Sequence, residues 1–322
     1  MHLAGIDRPI SRLGLGTMMF GAWGNPDRTD CRRIADIALE AGISLFDTAD
    51  VYDRGIGETI VGDVIAGRRD RVVLATKVGN PMSDDPDDCG LSGRRIIASC
   101  DDSLRRLRVD HIDLYQMHRP DPRTPLLESI GAMQQLIEAG KVRAWGTSTF
   151  PAHLLAEVHR SCAEHGLIPP ATEQPPYSVL CRSIEREVVP LCSRHGVGLL
   201  TWAPLNGGWL TGKYALGPTA DSRAVREADH FDHGDESMRS IKLRSVDRLE
   251  EIAANAGLTV TEMAVRFVLS EPSVAACLLG PRTPAQAEQL CAITPEPLPG
   301  DVLAAIDAVV APGVTINPAD DG

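Results

Sequence analysis

The chain has 322 residues, 43% of them hydrophobic and 24% charged, with a formal net charge of −12. An acidic chain lacks the basic face that phosphate contacts need, which argues against nucleic acid as a partner. The length suits two domains or one α/β barrel of about 250 residues with insertions, and either buries a sizeable core. The eight cysteines (Cys31, Cys89, Cys100, Cys162, Cys181, Cys192, Cys277, Cys291) show no C-x-x-C and no zinc spacing, so they read as reduced thiols. Met1–Asp7 lacks the basic and apolar regions of a signal peptide, and no apolar run reaches the ~18 residues of a membrane span. The expectation is a cytoplasmic protein with no membrane contact.

Residues 2–10 are compatible with a short N-terminal hairpin. Beyond them, short apolar runs alternate with amphipathic ones. The predicted strands are Ser11–Met18, Ile43–Thr48, Val72–Lys77, Ile112–Met117, Ala144–Ser148, Thr172–Gln174, Gly198–Ala203 and Ala275–Leu279. Their mostly apolar character is that of parallel strands buried on both faces. Helical periodicity covers Thr29–Ala41, a segment opened by Ser92 or Gly93, Pro125–Ala139, Pro151–His165 and Ile184–His195. Gly140, Gly166 and Gly196 follow three of these as helix-ending residues. Two further helices are predicted at Arg239–Ala256 and Thr261–Ser270, and one at Val302–Val310. Eight such units imply a single-domain (β/α)₈ TIM barrel over residues 1–322. Residues 206–238 break the rhythm and are expected to form a long loop acting as a lid or contacting a cofactor.

Three predicted strands stop at or just before a titratable group. Asp47 closes the second, Lys77 ends the third, and His118 follows the fourth. A barrel of this type carries its site at the C-terminal ends of its strands. Neighbouring strands lie ~4.8 Å apart, so these groups can meet, with Tyr52 folding back from the loop after Asp47. A tyrosine is a poor acid near neutrality. A nearby ammonium favours its phenolate and lowers its pKa, and Lys77, held by Asp47, would supply that field. With His118 bonding a substrate oxygen, the set can give a proton to a carbonyl oxygen or take one from an alcohol. Asp50 and Asp53 read as solvated loop carboxylates.

These segments resemble the aldo-keto reductase superfamily. Gly42-Ile43-Ser44-Leu45-Phe46-Asp47-Thr48-Ala49 with Tyr52, Gly57-Glu58 and Gly62 is similar to its first signature. Ala75-Thr76-Lys77, Tyr115-Gln116-Met117-His118 and Gly140–Phe150 match later ones in the right order. The resemblance implies catalysis by Tyr52, Asp47, Lys77 and His118, and NADPH, in preference to NADH, as hydride donor. It places Gly16, Thr17, Met18 and Asp47 beside that cofactor. Ser148, Thr149 and Gln174 are expected at its carboxamide, and Trp202 with Ala203 at its nicotinamide ring. Leu205, Gly207, Gly208, Leu210 and Lys213 are expected at its pyrophosphate, Gly280 and Arg282 at its 2′-phosphate, and Gln286 at its adenine.

The departures from the family pattern concern the substrate. Ser148-Thr149 stands where the family carries Ser-Asn. Val78-Gly79-Asn80 and Arg119-Pro120-Asp121 stand where some members carry aromatics. The pocket is therefore expected to be polar, with Asn80 and Arg119 in it and Phe20, Trp23 and Trp209 as apolar neighbours. A small or sugar-like aldehyde or ketone fits that lining. His118-Arg119-Pro120-Asp121 and Glu173–Ser178 are similar to a bacterial branch related to potassium-channel β-subunits and to reductases of nucleotide-linked deoxysugars. A 2,3-reductase of a nucleotide-linked keto-deoxysugar and an NADPH-sensing partner subunit are thus alternative functions. A hydrolase or Schiff-base enzyme using Lys77 leaves Tyr52 without a task. Monomer and homo-oligomer are both compatible with the sequence.

Overall fold

Among the described residues, eight strands close in chain order into one parallel barrel. They are β1 (Leu13–Gly16), β2 (Leu45–Asp47), β3 (Val73–Val78), β4 (Ile112–Met117), β5 (Val142–Ser148), β6 (Thr172–Gln174), β7 (Gly198–Thr201) and β8 (Val274–Leu279). The computed structural model describes residues 1–85, 88–214, 217, 222, 225 and 236–322. Closure comes from β1, which pairs with β2 on one side and β8 on the other. All eight strands fall where the apolar runs predicted them, several of them shorter.

The helices are α1 (Arg28–Glu40), α2 (Ile56–Ile65), α3 (Gly93–Leu107), α4 (Leu126–Glu138), α5 (Ala152–His165), α6 (Val188–His195), α7 (Glu236–Asn255), α8 (Val260–Leu269), α9 (Pro284–Cys291) and α10 (Gly300–Asp307). Local chemistry sets several of their ends. Asp27 caps α1 by accepting from Thr29 and Asp30, and Thr259 with Glu262 forms a capping box on α8. The helix expected over Ile184–His195 is split into a 3₁₀ turn at Ser183–Glu185 and α6. Pro190 explains the split: in a continuous helix its ring would meet the Arg186 carbonyl, so the helix begins within a turn of it. Among the described residues no single helix is long and apolar enough to cross a membrane.

Two apolar layers result. The larger lies between the strands and the helices. The smaller fills the barrel itself and includes Leu45, Val73, Ala75, Leu114, Ala144, Leu200 and Leu278. Residues alternate between these layers with the period of two that a strand imposes. Two inward steps beyond Val73, through Ala75, lies Lys77; two beyond Leu114, through Gln116, lies His118. Leu45 is followed by Asp47, and Leu200 by Trp202. Each of these strands thus carries an apolar inward half at one end of the barrel and a polar or aromatic one at the other. Gly146 lets β5 lie close against β6, since a Cβ there would sit 2.1 Å from Thr172 Oγ1.

Residues 2–10 double back as a loop closed by Met1 and Ile10. The Ile10 N–H donates to the Met1 carbonyl at 2.8 Å, and the Met1 amine returns a bond to the Ile10 carbonyl at 3.0 Å. No strand ladder forms there among the described residues. Leu3, Ile6 and Ile10 instead plug the inner layer. Of the loop expected at 206–238, Asn206–Thr211 is a tight 3₁₀ turn and 236–238 begin α7. Residues 215, 216, 218–221, 223, 224 and 226–235 lie outside the described residues.

Candidate active site

Asp47, Tyr52, Lys77 and His118 converge at the C-terminal mouth of the barrel. Lys77 is 1% exposed and Asp47 2%. The Lys77 ammonium donates to Asp47 Oδ1, to the Thr48 carbonyl at 2.8 Å and to the Tyr52 hydroxyl at 3.3 Å. All three of its protons are therefore placed. The Tyr52 ring stands edge-on to His118, with centroids 6.0 Å apart. Asp53, Arg54 and Gly55 have φ of 48°, 51° and 89°, and this left-handed run reverses the chain directly after Tyr52. Asp53 is not merely solvated: its Oδ2 accepts the Ala22 N–H at 2.9 Å and ties the Trp23 loop to the Tyr52 loop. Trp23, 42% exposed, then lies 6.1 Å from the Tyr52 ring.

The electrostatics sharpen one expectation. Burial raises the Tyr52 pKa above its ordinary value; Lys77 pulls it down, but burial, aided by Asp47, outweighs the ammonium. Tyr52 is thus a neutral phenol whose anion Lys77 can stabilise when it forms. Burial also acts to lower the Lys77 pKa, but Asp47 and Tyr52 more than offset it, so the ammonium persists. Burial, then Lys77 and Arg119, hold His118 well below the usual imidazole range, so its ring is neutral. Neither ring nitrogen of His118 bonds another described residue, and its Nδ1 is fully buried. The set can donate a proton from Tyr52 and a hydrogen bond from His118 to one oxygen.

A fifth residue, absent from the sequence prediction, belongs to this network. The Gln116 amide donates to Asp47 Oδ2 at 3.1 Å. The Gln174 amide donates to the same oxygen at 2.9 Å and to Gln116 Oε1 at 3.0 Å. Asp47 is thereby fixed from β3, β4 and β6 at once. The signal was present in the sequence: Gln116 is a fully polar side chain at an inward position of an otherwise buried strand. Asp50 corrects an expectation. It is 1% exposed with neither carboxylate oxygen bonded, and burial, then Glu58, push its pKa up to about 7.

The residues expected around a dinucleotide lie along the same face. Gly16 ends β1, and Thr17 bonds the Asp47 carbonyl through its N–H at 2.9 Å and its hydroxyl at 3.0 Å. Met18, partly exposed, follows. The Ser148 hydroxyl donates to the Gln174 carbonyl at 2.9 Å, and Thr149 adopts φ 56°. The buried Glu173 carboxyl accepts the Phe150 N–H at 3.1 Å and so holds that turn. Trp202 is half-buried against the inner layer and offers a flat ring at the mouth. Ala203 (φ 55°) and Leu205 lead into Gly207 and Gly208, whose φ of 66° and 100° favour glycine. A Cβ on Gly208 would meet the Lys213 ammonium at 2.7 Å, so that exposed cation lies over the glycine turn. Gly280 and Arg282 precede α9, which Thr283 caps.

Four side chains sit differently from expectation. Phe20 (0% exposed) and Trp209 (1%) are enclosed in the barrel–helix layer and cannot wall an open pocket. Trp209 packs edge-on against Tyr214 at 5.2 Å, and Lys242 lies 5.7 Å over its ring. Gln286 turns back to accept the Arg282 N–H at 2.8 Å, so it shapes the Arg282 turn. The Leu210 side chain is buried in the same layer as Phe20. Asn80 and Arg119 line a cavity of about 240 Å³ at the exits of β3 and β4, whose lining does not include Tyr52, Lys77 or His118.

Comparison with known proteins agrees with this geometry. The model of the "Aldo/keto reductase family" matches residues 12–311. A "Probable voltage-gated potassium channel subunit beta" of Arabidopsis thaliana is 36% identical over 290 residues, covering 87% of this chain and 87% of its own. "Aldo-keto reductase YhdN" of Bacillus subtilis is 36% identical over 289 residues, covering 88% and 85%. The structure of a glycerol dehydrogenase from Gluconobacter oxydans superposes with a TM-score of 0.85 at 33% identity, covering 99% of this chain and 97% of that one.

Proposed function

Since the chain belongs to the aldo-keto reductase family, we propose that it reduces an aldehyde or ketone to an alcohol, with NADPH as hydride donor and Tyr52 as general acid. The observation that carries the reading is the hydrogen-bonded line from Asp47 through Lys77 to the Tyr52 hydroxyl, with the neutral His118 ring beside it. The substrate oxygen is held between the Tyr52 hydroxyl and His118. As negative charge develops on it, Tyr52 gives up its proton, and the Lys77 ammonium steadies the phenolate left behind. Gln116 and Gln174 keep Asp47 in place under Lys77.

The donor set fits a nicotinamide dinucleotide. Trp202 offers a stacking face, Ser148 and Gln174 offer amide partners, and the turn at Gly207-Gly208 under Lys213 offers backbone and ammonium to a pyrophosphate. The N-terminus of α9 with Arg282 suits a 2′-phosphate, which favours NADPH. When bound, the nicotinamide supplies the hydride. The glycerol dehydrogenase neighbour supports a small hydroxylated substrate, with Tyr52 acting as base in the oxidative direction. The channel-subunit relatives support a second reading, an NADPH-sensing partner protein.

Two measurements separate these. Quenching of tryptophan fluorescence by NADPH is expected in wild type and in Tyr52→Phe. Reduction of 4-nitrobenzaldehyde is expected in wild type alone. Binding without turnover in wild type selects the sensing subunit, and absence of both signals overturns the reductase reading. A panel that includes keto-deoxysugar nucleotides and glycerol, run with NADPH and NADH, identifies the substrate class and the cofactor.

A further inference from the structure

Arg119 follows His118 at the exit of β4. It is partly buried and has no hydrogen bond or ion pair with any described residue. That is unusual in this protein. Arg68, Arg69, Arg95, Arg106 and Arg182, also packed into the structure, each hold a carboxylate. The groups whose charge reaches Arg119 are Tyr52 and Glu173. Tyr52 is a neutral phenol, and burial pushes the Glu173 carboxyl up to about 7, so neither gives a settled counter-charge.

Position makes the vacant guanidinium useful. Its Nη1 would lie 3.2 Å from a Cβ on Gly322, and the same Cβ would be 2.8 Å from the Thr149 methyl. Gly322 thus fills the space between the Arg119 guanidinium and the turn that follows β5, and the open side of Arg119 is the one that faces Asn80. The cavity of about 240 Å³ that Arg119 helps line opens there, with Asn80 in its wall. Arg123, the other cation there, is held by Asp121. A planar guanidinium forks onto carboxylate or phosphate through two parallel bonds, and a desolvated cation gains most from such a partner.

We propose that Arg119 is the specificity-determining residue of the site and binds a carboxylate or phosphate carried by the carbonyl substrate. The inference rests on the reductase reading given above. It makes the preferred substrate an anionic aldehyde or ketone, with the charged group held by Arg119 on the Asn80 side of the mouth.

The test compares kcat/KM for 4-carboxybenzaldehyde with that for 4-nitrobenzaldehyde, its uncharged near-isostere, using NADPH. Glyceraldehyde 3-phosphate against glyceraldehyde forms a second pair. Wild type is expected to favour the charged member by at least about tenfold, the size of one charge-assisted bond. In Arg119→Gln the ratio collapses towards unity, mainly through KM, and Arg119→Lys restores part of it. The pair with the larger ratio tells whether carboxylate or phosphate is the natural group. Equal ratios in wild type and Arg119→Gln overturn the inference and leave the reductase reading standing. If wild type reduces no aldehyde, the reductase reading fails, and binding of terephthalate, followed by the fluorescence of the exposed Trp23, decides the anion site. Saturable binding lost in Arg119→Gln supports the site; binding unchanged in that variant overturns it.

Discussion

The buried pair of Lys77 and Asp47 makes a quantitative demand. In Lys77→Met, Asp47 keeps only the amides of Gln116 and Gln174, while the Thr48 carbonyl and the Tyr52 hydroxyl each lose a donor. Removing one member of a buried ion pair costs about 3–5 kcal/mol, because the other charge is left uncompensated. Asp47→Asn strands the ammonium in the same way, and a cost of similar size is expected. Lys77→Met with Asp47→Asn removes both charges, and a neutral pair of like volume restores most of the loss, to within about 1–2 kcal/mol of wild type. The coupling between the two sites should therefore be at least about 4 kcal/mol, above the range usual for touching residues. Equilibrium urea unfolding of the four proteins measures it. Turnover of 4-nitrobenzaldehyde should fall about 10²–10⁴-fold in all three variants, since general acid catalysis is lost with the field that supports it. Additive single-variant costs would refute the uncompensated-charge argument, and a double variant that still turns over would refute the role of Lys77.

Two further outcomes follow from other parts of the molecule. His159 stacks on His195 with ring centroids 4.3 Å apart, and burial, then His195, push its pKa down to about 4. The unfolded chain then binds the extra proton between pH 6.5 and 4, so the urea midpoint should fall as pH falls through that window, and His159→Phe should flatten the slope; an unchanged slope would exclude His159 as the cause. Lys242, buried on α7, donates to Asn206 Oδ1 at 3.0 Å and to Asp320 Oδ2 at 2.7 Å, anchoring the start of the glycine turn. Lys242→Met should weaken NADPH binding about tenfold, some 1.4 kcal/mol, in the quenching titration; full affinity in that variant would separate the turn from the cofactor.

The barrel and the four polar groups gathered at its mouth were legible in the sequence for one reason. Parallel strands buried on both faces read as apolar runs, and the inner positions at their C-terminal ends are the place for polar side chains. Asp47, Lys77 and His118 stand out against Val73, Ala75 and Leu114. Gln116 does not stand out in the sequence, because an uncharged amide inside an apolar run suggests no chemistry by itself. Asp50 reads as solvated from sequence because a loop carboxylate is usually exposed, whereas here it is buried. Helix α2 was not predicted: it follows three left-handed residues and contains Gly57 and Gly62, which weaken the helical signal. The aromatic character of Phe20 and Trp209 suggests a pocket wall, but both are buried in the layer between strands and helices. The direction of the Tyr52 shift depended on desolvation, which only the packed structure supplies.

The alternation along the strands has a consequence for how this chain can go wrong. A slip of one residue in β3 would turn Lys77 outward among the helices and bring Thr76 and Val78 into the mouth, while Val73 and Ala75 left the interior. The same displacement that dismantles the site would thus expose the packing of the barrel and drive a charged side chain into oil. A misassembled barrel would therefore lose its solubility together with the alignment on which the proposed proton transfer depends.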